Sequence, residues 1–421
     1  MNFLASIPGN VPPTRLFACS KIRHGDPEVK GHTPTFFNAS SMRIVIDARF
    51  YGPFGKGLGR YVQKLITHLE PIVTSDDVVV LLRKENFDAY VPASPRFTRM
   101  LANFRWYSVE EQRKLPPFLR SLKPDLVHFP HYNVPLLYRG PFVVTVHDLI
   151  LSSHPTERAT TLGPLRYAVK HFVYERVIRS AIRRARTVLT VSHYSKRQIV
   201  ERFAIAPDRV VVTHEAAEPL AIRDVPPAVA SRHQALVPYL LYVGNAYPHK
   251  NLEGLLRAIK LLLERRADGV SLVLVGKMDY FFERLRREAD ALGLSKNVVF
   301  TGYVSDEELA SLYWHAMLYV FPSFEEGFGL PALEAMIAGV PVASSNQSCL
   351  PEILGDAAAY FDPHRPEAIA ATIGRLLDHP EERSALRARG AEQVRKYAWG
   401  SLARSTYDVY TRAIHETRHP D

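Results

Sequence analysis

The sequence has 421 residues, enough for two or three domains, and its composition, 47% hydrophobic and 23% charged, is that of a globular protein. Its two cysteines, Cys19 and Cys349, exclude a disulfide framework and a cysteine-based metal centre, and they favour a reducing compartment. The net charge of +10 favours an anionic partner, such as a phosphate ligand, an acidic membrane or a nucleic acid.

Residues 1–41 have no periodic pattern of apolar side chains and are rich in Pro, Gly, Ser and polar residues. We expect a disordered or loosely attached extension, and we interpret Met42, where the first strand signal begins, as the natural start. The intact mass of the protein from its native source would test this start. Pro8, Pro12 and Pro13 interrupt any apolar signal segment, and no stretch approaches roughly 18 uninterrupted apolar residues. We therefore expect a cytoplasmic protein.

Strand and helix signals alternate through the first half of the chain. The run "MRIVIDARF" (42–50) is β-branched and apolar, which is typical of a buried parallel strand. The further predicted strands are 77–82, 125–129, 142–148, 187–192 and 209–214, and the predicted helices are 57–70, 109–122, 163–185 and 193–203. This alternation predicts a doubly wound parallel sheet.

A proline-rich segment, 221–238, is predicted to be a linker. Beyond it the alternation resumes, with predicted strands at 239–244, 271–276, 297–302, 317–322 and 340–345 and predicted helices at 251–266, 281–292, 306–315 and from about 330. Residues 381–417 are strongly helical, with an interruption at "AWGS" (398–401). We therefore expect an α/β protein with two Rossmann-like domains, 42–220 and 239–400, followed by a terminal helix at 401–421.

Several glycines follow the first predicted strand, in "GPFGKGLGRY" (52–61). Ligands of doubly wound sheets bind beyond the carboxyl ends of the strands, so Gly55, Gly57 and Gly59 are candidates for a ligand-binding loop. The run is not a Walker loop, since Gly57 follows the lysine, and not a dinucleotide fingerprint, since Arg60 replaces the last glycine. A tight strand–helix turn is an equally good interpretation.

The second domain opens with "GNAYPHKNLEGLLRA" (244–258), in which Lys250 precedes a predicted helix. A helix N-terminus carries partial positive charge, so a lysine there is disfavoured unless an anion binds beside it. Lys250 is therefore a candidate for binding phosphate, with an ordinary solvated lysine as the alternative.

The segment "FPSFEEGFGLPALEAMIAG" (321–339) places Glu325, Glu326 and Glu334 in an otherwise apolar stretch, although buried carboxylates need partners. The glycines between them allow backbone amides to face a ligand. We expect Glu334 near the first turn of the following helix, where a carboxylate is favourable. The pattern predicts carboxylates that bind ligand hydroxyl groups on either side of a phosphate; capping of the helix by both carboxylates is the alternative.

Histidines follow two of the predicted strands. His147 ends "FVVTVHD" beside Asp148, while His128 and His131 end the preceding strand. Their spacing is not that of metal ligands on one helix, no cysteine joins them, and the sequence has no D-x-D pattern, so we expect no metal site. His147 is a candidate cleft residue, although a lone histidine is more often structural.

These segments together resemble family 4 retaining glycosyltransferases of the GT-B architecture. The most specific similarity is "PSFEEGFGLPALEAMIAGVPV" (322–342), in which Glu326 and Glu334 match the E-x7-E segment of that family. The segments "YVGNAYPHKNL", "GLGRYVQKL" and "VTVHDL" also match, so the resemblance extends from Met42 to the C-terminus.

The resemblance implies an acceptor domain (42–220) and a donor-binding domain (239–400) that face a cleft, with the terminal helix returning to the first domain. It implies transfer of a sugar from a nucleoside diphosphate-sugar, with retention at the anomeric carbon and without a cofactor or metal. The acceptor would be a glycan, a lipid-linked molecule or a small molecule in cell-envelope polysaccharide or glycolipid synthesis. Front-side attack and a covalent intermediate both remain open.

The resemblance also implies roles for individual residues. Glu326 would lie near the donor sugar, Lys250 would bind the diphosphate, and His147 would contact the sugar across the cleft. Glu334 would bind the ribose hydroxyls. The other donor-binding candidates are Gly244, Asn245, His249, Gly327, Phe328, Gly329 and Leu330, and the candidates for the phosphate and acceptor loop are Gly55, Gly57 and Gly59.

This sequence departs from the family in one respect. Members commonly carry an arginine near the position of Lys250, whereas this chain has Asn245 and His249 there. We expect His249 to be a second, conditional cation for the diphosphate, with Arg60 as the alternative.

Other functions fit less well. An NAD-type oxidoreductase needs an intact glycine fingerprint, which is absent. A non-catalytic sugar-nucleotide-binding partner subunit would bind donor without turnover, but Glu326, Glu334 and Lys250 are all present. The basic residues are dispersed and no RNA-binding motif occurs, so we expect no nucleic acid.

The predicted helix at 166–186 combines seven Lys and Arg residues with apolar side chains. Such a helix can lie on an anionic membrane, which predicts peripheral contact with the inner membrane face. A core-packing helix with a solvated basic face is an equally good interpretation.

Overall fold

The computed structural model describes residues 41–153, 164–219, 238–266 and 269–418. The predicted extension and linker lie outside these residues, except for Ser41 and Pro238. Within the described ranges, the strands of the first half are β1 Arg43–Ile46, β2 Asp77–Leu82, β3 Phe97–Leu101, β4 Leu126–Phe129, β5 Phe142–Val146, β6 Val188–Thr190 and β7 Val210–Val212. Those of the second half are β8 Tyr239–Val243, β9 Ser271–Val275, β10 Val298–Gly302, β11 Leu318–Phe321, β12 Val342–Ser345 and β13 Ala358–Phe361.

The strands of each half form a separate, all-parallel sheet. The order is β3-β2-β1-β4-β5-β6-β7 in the first and β10-β9-β8-β11-β12-β13 in the second. In the first sheet Val45 of β1 lies opposite Val79 on one side and Val127 on the other. The strand order reverses between β1 and β4, and again between β8 and β11, and such switch points open crevices at the carboxyl ends of the strands.

Helices connect and cover the strands. They are α1 Lys56–Leu69, α2 Val109–Ser121, α3 Ile150–Ser153, α4 Pro164–Arg184, α5 His193–Phe203, α6 Leu252–Arg265, α7 Tyr280–Ala291, α8 Asp306–His315, α9 Leu330–Ile337, α10 Leu350–Leu354, α11 Pro366–Asp378, α12 Pro380–Val394 and α13 Trp399–Arg418. Helix α6 illustrates how these helices pack on the sheets. Its apolar residues recur at helical spacing and are buried in the hydrophobic core of the second domain: Leu252, Leu255, Leu256 and Ile259. The predicted pair of doubly wound α/β domains is confirmed.

The sequence patterns missed two strands, β3 and β13, and both lie at an edge of their sheet. Edge strands are covered less completely than central strands and need no continuous β-branched run. Accordingly, β3 reads "FTRML" with half-exposed Thr98 and Arg99, and β13 reads "AAYF".

The C-terminal helix packs on the first domain. Helix α12 ends at Val394 and α13 begins at Trp399, so the interruption lies slightly before the predicted 398–401. Trp399, Leu402 and Tyr410 of α13 are buried in the core that α1 forms with the first sheet. The predicted return of the chain to the first domain is therefore confirmed.

Candidate active site

The site lies where the two switch points face each other. A cleft of about 1290 Å³ opens there, and both domains contribute to its walls. Five of the candidate catalytic and donor-binding residues line it: His147 from the first domain and Asn245, His249, Lys250 and Glu326 from the second. The chain thus brings together residues that are as many as 179 positions apart in the sequence (147 to 326).

Lys250 ends a short 3-10 turn, Pro248–Lys250, between β8 and α6. The next residue, Asn251, adopts the left-handed conformation with φ of 55°. Its side-chain Nδ2 donates to the carbonyl oxygens of Pro322 (3.1 Å) and Pro363 (2.8 Å). Asparagine tolerates this conformation better than most residues. These bonds fix the turn against the end of β11 and hold Lys250 at the wall of the cleft.

Glu326 follows β11 and forms a two-pronged ion pair with Lys250. The Lys250 Nζ lies 2.7 Å from Oε1 and 2.8 Å from Oε2 of Glu326. Ser323 donates from its hydroxyl to the same Oε1 at 2.7 Å, and the Glu326 amide donates to Ser348 Oγ at 3.2 Å. Glu326 is only 7% exposed, so the carboxylate needs these partners.

The glycines after Glu326 allow the two domains to approach closely. A Cβ atom at Gly327 would lie 2.5 Å from the carbonyl oxygen of His147, and Ser192 of the first domain donates to the Gly327 carbonyl at 2.8 Å. Gly329 has φ of 96° and is the N-cap of α9. Both positions therefore require glycine for backbone reasons.

The side chains of Phe328 and Leu330 pack within the protein. Phe328 is 4% exposed, and its ring lies 5.4 Å from that of Tyr397 and 6.1 Å from that of His214. Leu330 packs against the second core. A donor at this loop would therefore meet their backbone groups rather than the Phe328 ring.

Glu334 is the fifth residue of α9, slightly deeper in the helix than predicted. Its carboxylate forms an ion pair with Arg60 of α1 and accepts a bond from the Tyr313 hydroxyl at 3.3 Å. Because Arg60 belongs to the first domain and Glu334 to the second, this ion pair crosses between them. Arg60 appeared in the sequence only as an alternative phosphate ligand, and nothing in its spacing predicted this pairing.

His147 has an acceptor at each ring nitrogen. Nδ1 lies 3.1 Å from Glu215 Oε1, and Nε2 lies 3.1 Å from the carbonyl oxygen of Pro130. Burial alone would lower the pKa of His147, but the hydrogen bond and negative charge of Glu215 outweigh burial and raise that pKa. The arrangement fits a ring that donates from both nitrogens and carries a positive charge.

Asp148 adds a carboxylate to the same wall of the cleft. Burial raises its pKa, and the neighbouring Glu326 adds to that effect, while His147 and Lys250 oppose it. Asp148, Glu326, His147 and Lys250 thus influence one another within the cleft, as is common for titratable groups at functional sites.

The glycines after β1 serve the local turn. A Cβ atom at Gly55 would lie 2.0 Å from the Phe50 carbonyl oxygen, and one at Gly59 would lie 2.0 Å from the Gly52 carbonyl oxygen. Gly57, in contrast, is exposed and has no neighbouring atom within 4 Å of that position. Gly55 and Gly59 are therefore explained by packing alone, whether or not a ligand binds there.

Gly244, at the end of β8, approaches the Tyr242 hydroxyl, which would lie 2.8 Å from an added Cβ atom.

An aromatic cluster at the end of the first sheet was not predicted. The rings of Phe50 and Trp106 stack with centroids 4.2 Å apart, and His131 lies 5.6 Å from Phe50. Tyr107 is 61% exposed beside His131. These residues come from different loops, so only the three-dimensional structure shows that they adjoin.

A buried polar network supports this cluster. Arg49 pairs with Asp47 (2.6 Å) and Glu111 (2.7 Å), and all three are nearly inaccessible to solvent. Glu111 also accepts a bond from the Tyr107 amide at 2.8 Å, where Tyr107 has φ of 56°. A non-glycine residue in this conformation must be held by its surroundings.

The two facing sheets, the cleft between them and the returning helix define a glycosyltransferase of the GT-B class. The family model described as Glycosyltransferase Family 4 matches residues 55–219, and the one described as Glycosyl transferases group 1 matches residues 231–393. The chain belongs to glycosyltransferase family 4.

Similar proteins agree with this assignment. O-antigen chain mannosyltransferase B of Escherichia coli is 31% identical over 378 residues, which cover 84% of this chain and 95% of that protein. The serotype-specific mannosyltransferase WbdA of Escherichia coli is 32% identical over 390 residues, which cover 86% of this chain but 46% of that longer protein.

Solved structures show the same fold. Sucrose-phosphate synthase from Thermosynechococcus elongatus has a TM-score of 0.67 at 22% identity and covers 88% of this chain and 98% of its own. Anabaena Alr3699/HepE in complex with UDP-glucose has a TM-score of 0.66 at 16% identity and covers 88% of this chain and 100% of its own. The predicted GT-B fold is thus confirmed.

Proposed function

We propose that this protein is a retaining mannosyltransferase that moves mannose from a nucleoside diphosphate-mannose to a growing cell-envelope glycan. The ion pair between Lys250 and Glu326, facing His147 across the cleft, carries the proposal. Mannose is favoured because the relatives that match most of this chain are named mannosyltransferases.

The donor would lie across the end of α9. Lys250 would bind the diphosphate, with the backbone amides after Glu326 as further donors, and Glu334 would bind the ribose hydroxyls. Since a helix N-terminus and a lysine both favour negative charge, the site suits a diphosphate. Asn245 and His249 line the same wall and are placed to contact the donor.

In the reaction, the bond between the anomeric carbon and the diphosphate oxygen breaks, and its electron pair remains on the diphosphate. The acceptor hydroxyl oxygen bonds to the same carbon, and its proton passes to an oxygen of the departing diphosphate. Lys250 and the loop amides would stabilise the growing charge of the leaving group, which favours the transition state over the bound donor. Because protein groups supply this positive charge, we propose that the reaction needs no metal.

His147 would act chiefly through its positive charge. Both ring nitrogens already have acceptors, in Glu215 and Pro130. Contact with the donor sugar would therefore replace the bond to Pro130, or use the His147 carbonyl that faces Gly327.

We propose that the acceptor is a saccharide that stacks on the aromatic cluster of the first domain. Sugar rings have apolar C–H faces that pack on aromatic side chains, while the ring edges remain free for hydrogen bonds. His131 and Tyr132 of this region line the cleft. Burial lowers the pKa of His131 to about 3, so this imidazole is neutral and suits an uncharged sugar.

The assay that tests this function incubates the full chain with GDP-mannose, UDP-glucose and UDP-galactose, with mannose oligosaccharides as acceptors. We expect release of GDP and mannosylated product from GDP-mannose only, undiminished by EDTA. The anomeric coupling of the product, measured by NMR, should show the configuration of the donor. Inverted product would refute retention, loss of activity in EDTA would refute metal independence, and no release from any donor would refute the proposal.

We also propose that α4 contacts an anionic membrane surface. Its N-terminal half exposes Val169, Phe172 and Val173, at 59%, 65% and 51%, beside the basic residues Lys170 and Arg176. Apolar and basic side chains on one exposed helix suit an anionic bilayer. The side chain of Arg166, also in the predicted segment, lies outside the described set. None of the helices that the structure describes has the length and apolar character to span a bilayer.

Co-sedimentation tests the membrane contact. The wild-type chain should sediment with phosphatidylglycerol vesicles and much less with phosphatidylcholine vesicles. Replacing Phe172 and Val173 together by Ser should reduce this binding, whereas replacing the exposed Tyr303 of the second domain by Ser should not. Equal binding by all three proteins would contradict a role for α4.

A further inference from the structure

Two histidines and one glutamate meet at a contact between the domains, apart from the residues that line the cleft. His193 is the first residue of α5, His214 follows β7, and Glu352 lies on α10 of the second domain. One ligand atom from each lies within 4.8 Å of the other two. The catalytic proposal uses none of these residues.

The distance between two of these groups is informative. His214 Nε2 lies 3.5 Å from Glu352 Oε1, which is too long for a strong hydrogen bond. Two ligands of one tetrahedral zinc ion, each about 2.0–2.1 Å from the metal, are separated by about 3.3 Å. His193 has an exposed imidazole that can rotate about its side-chain bonds to complete the set.

Glu352 is held in place for such a role. His193 N donates to its Oε1 at 2.7 Å, and Tyr194 N donates to its Oε2 at 2.8 Å. A carboxylate offers about four lone-pair sites, so these bonds leave capacity for a metal.

His214 is also oriented by its neighbours. Its ring lies 5.6 Å from that of Tyr397 and 6.1 Å from that of Phe328. Packing that fixes the orientation of an imidazole favours metal binding by that imidazole. Two imidazoles, a carboxylate and an open fourth position match the ligand sets that zinc accepts.

We propose that His193, His214 and Glu352 bind a zinc-class transition-metal ion that ties the two domains together. The three ligands do not line the cleft, and the ion would not act on the donor. It would instead stabilise the arrangement in which α5 contacts α10. A tie between the domains should slow any opening of the cleft that product release needs, so bound metal should slow turnover.

The test is calorimetric titration of the metal-free full chain with Zn²⁺, without donor or acceptor. We expect one bound ion per chain, and at least a tenfold weaker affinity in both His193→Ala and His214→Ala. His379→Ala is the matched control, because His379 lies 3.6 Å from a carboxylate of Glu381 with both side chains exposed. This control should bind Zn²⁺ as the wild type does.

A spectroscopic readout separates this site from adventitious binding. Co²⁺ bound by two imidazoles and a carboxylate should give a visible ligand-field absorption that His193→Ala abolishes and His379→Ala preserves. Because His193 is exposed, its replacement leaves the core intact, and this variant decides the matter even if His214→Ala does not fold. Absence of Zn²⁺ binding in the wild type, or equal losses in His193→Ala and His379→Ala, would overturn the proposal.

Discussion

The Lys250 Nζ contacts both carboxylate oxygens of Glu326, at 2.7 and 2.8 Å, in the wall of the cleft. A pair this well matched leaves little net charge buried in the wall of the cleft. A donor diphosphate that bound Lys250 would have to share it with, or take it from, Glu326. The donor would then leave Glu326 facing the sugar, where a carboxylate can stabilise positive charge at the anomeric carbon.

Glu326→Gln should therefore reduce kcat by about 100-fold or more, the scale on which one well-placed electrostatic group contributes to catalysis. The amide preserves the size of the side chain and its bond with Ser323. The adjacent Glu325 is the control, because it is 2% exposed and accepts a bond from Gln198 of the first domain at 2.8 Å. Steady-state kinetics should show a far smaller effect for Glu325→Gln; equal effects would remove Glu326 from the mechanism.

Glu334→Ala should weaken donor binding by about 1–3 kcal/mol, the cost of hydrogen bonds lost at a buried acceptor. The variant also leaves Arg60 without the carboxylate that it contacts across the domains. Tyr313→Phe is the control, since it removes one bond to Glu334 and keeps the carboxylate. Calorimetry with GDP-mannose should show a larger loss of donor affinity in Glu334→Ala than in Tyr313→Phe. Wild-type affinity in Glu334→Ala would show that the donor does not use this residue.

Glu215→Gln should lower the pKa of His147, because burial would then act without the opposing carboxylate. The raised pKa in the wild type means that the charged ring adds stability below its unfolded pKa of about 6.5. This stability is lost as pH rises through the folded pKa. Glu215→Gln should thus be most destabilising near pH ~5–6 and progressively less so at higher pH.

NMR titration of the His147 ring and denaturant unfolding across this pH range provide the measurements. Glu218→Gln is the control, because Glu218 lies three residues further on and pairs with Lys64 instead. If both variants had the same pH profile of unfolding free energy, the ion pair with His147 would not explain the effect.

Two glycines of α1 should respond in opposite ways to alanine. At Gly59 the new Cβ atom would lie 2.0 Å from the Gly52 carbonyl oxygen, so Gly59→Ala should cost about 1–3 kcal/mol of unfolding free energy. At Gly57 no atom lies within 4 Å, and alanine favours the helix by up to about 1 kcal/mol. Urea denaturation should give Gly59→Ala a lower free energy of unfolding than the wild type, and Gly57→Ala a higher one. Equal stabilities would mean that the turn is not packed as described.

The sequence indicated the architecture and the second-domain site because both depend on local signals. Runs of β-branched residues predict central strands. Glu326 and Lys250 could be singled out because they lie beside glycines and the starts of helices. Partners from distant segments left no such signal. The contacts of Arg60 with Glu334 and of Glu215 with His147 arise only when loops of different strands meet. The sequence patterns also missed edge strands such as β3, because the side chains of these strands are only partly buried.

Tyr107→Ala should raise the KM for a saccharide acceptor by about tenfold, because the variant removes the exposed ring of the proposed stacking surface. That estimate corresponds to about 1.4 kcal/mol, within the range of an aromatic contact and its buried area. Donor affinity should not change, since the ring belongs to the acceptor side of the cleft. Tyr107→Phe should keep the wild-type KM, because stacking requires the ring and not the hydroxyl. Tyr303→Ala removes a more exposed tyrosine, 85% accessible on the second domain, and should leave the KM values of both substrates unchanged. Kinetics with the acceptor varied at saturating donor would test this prediction. A fall in kcat alone would point instead to a structural effect at this residue, whose backbone is left-handed with φ of 56°.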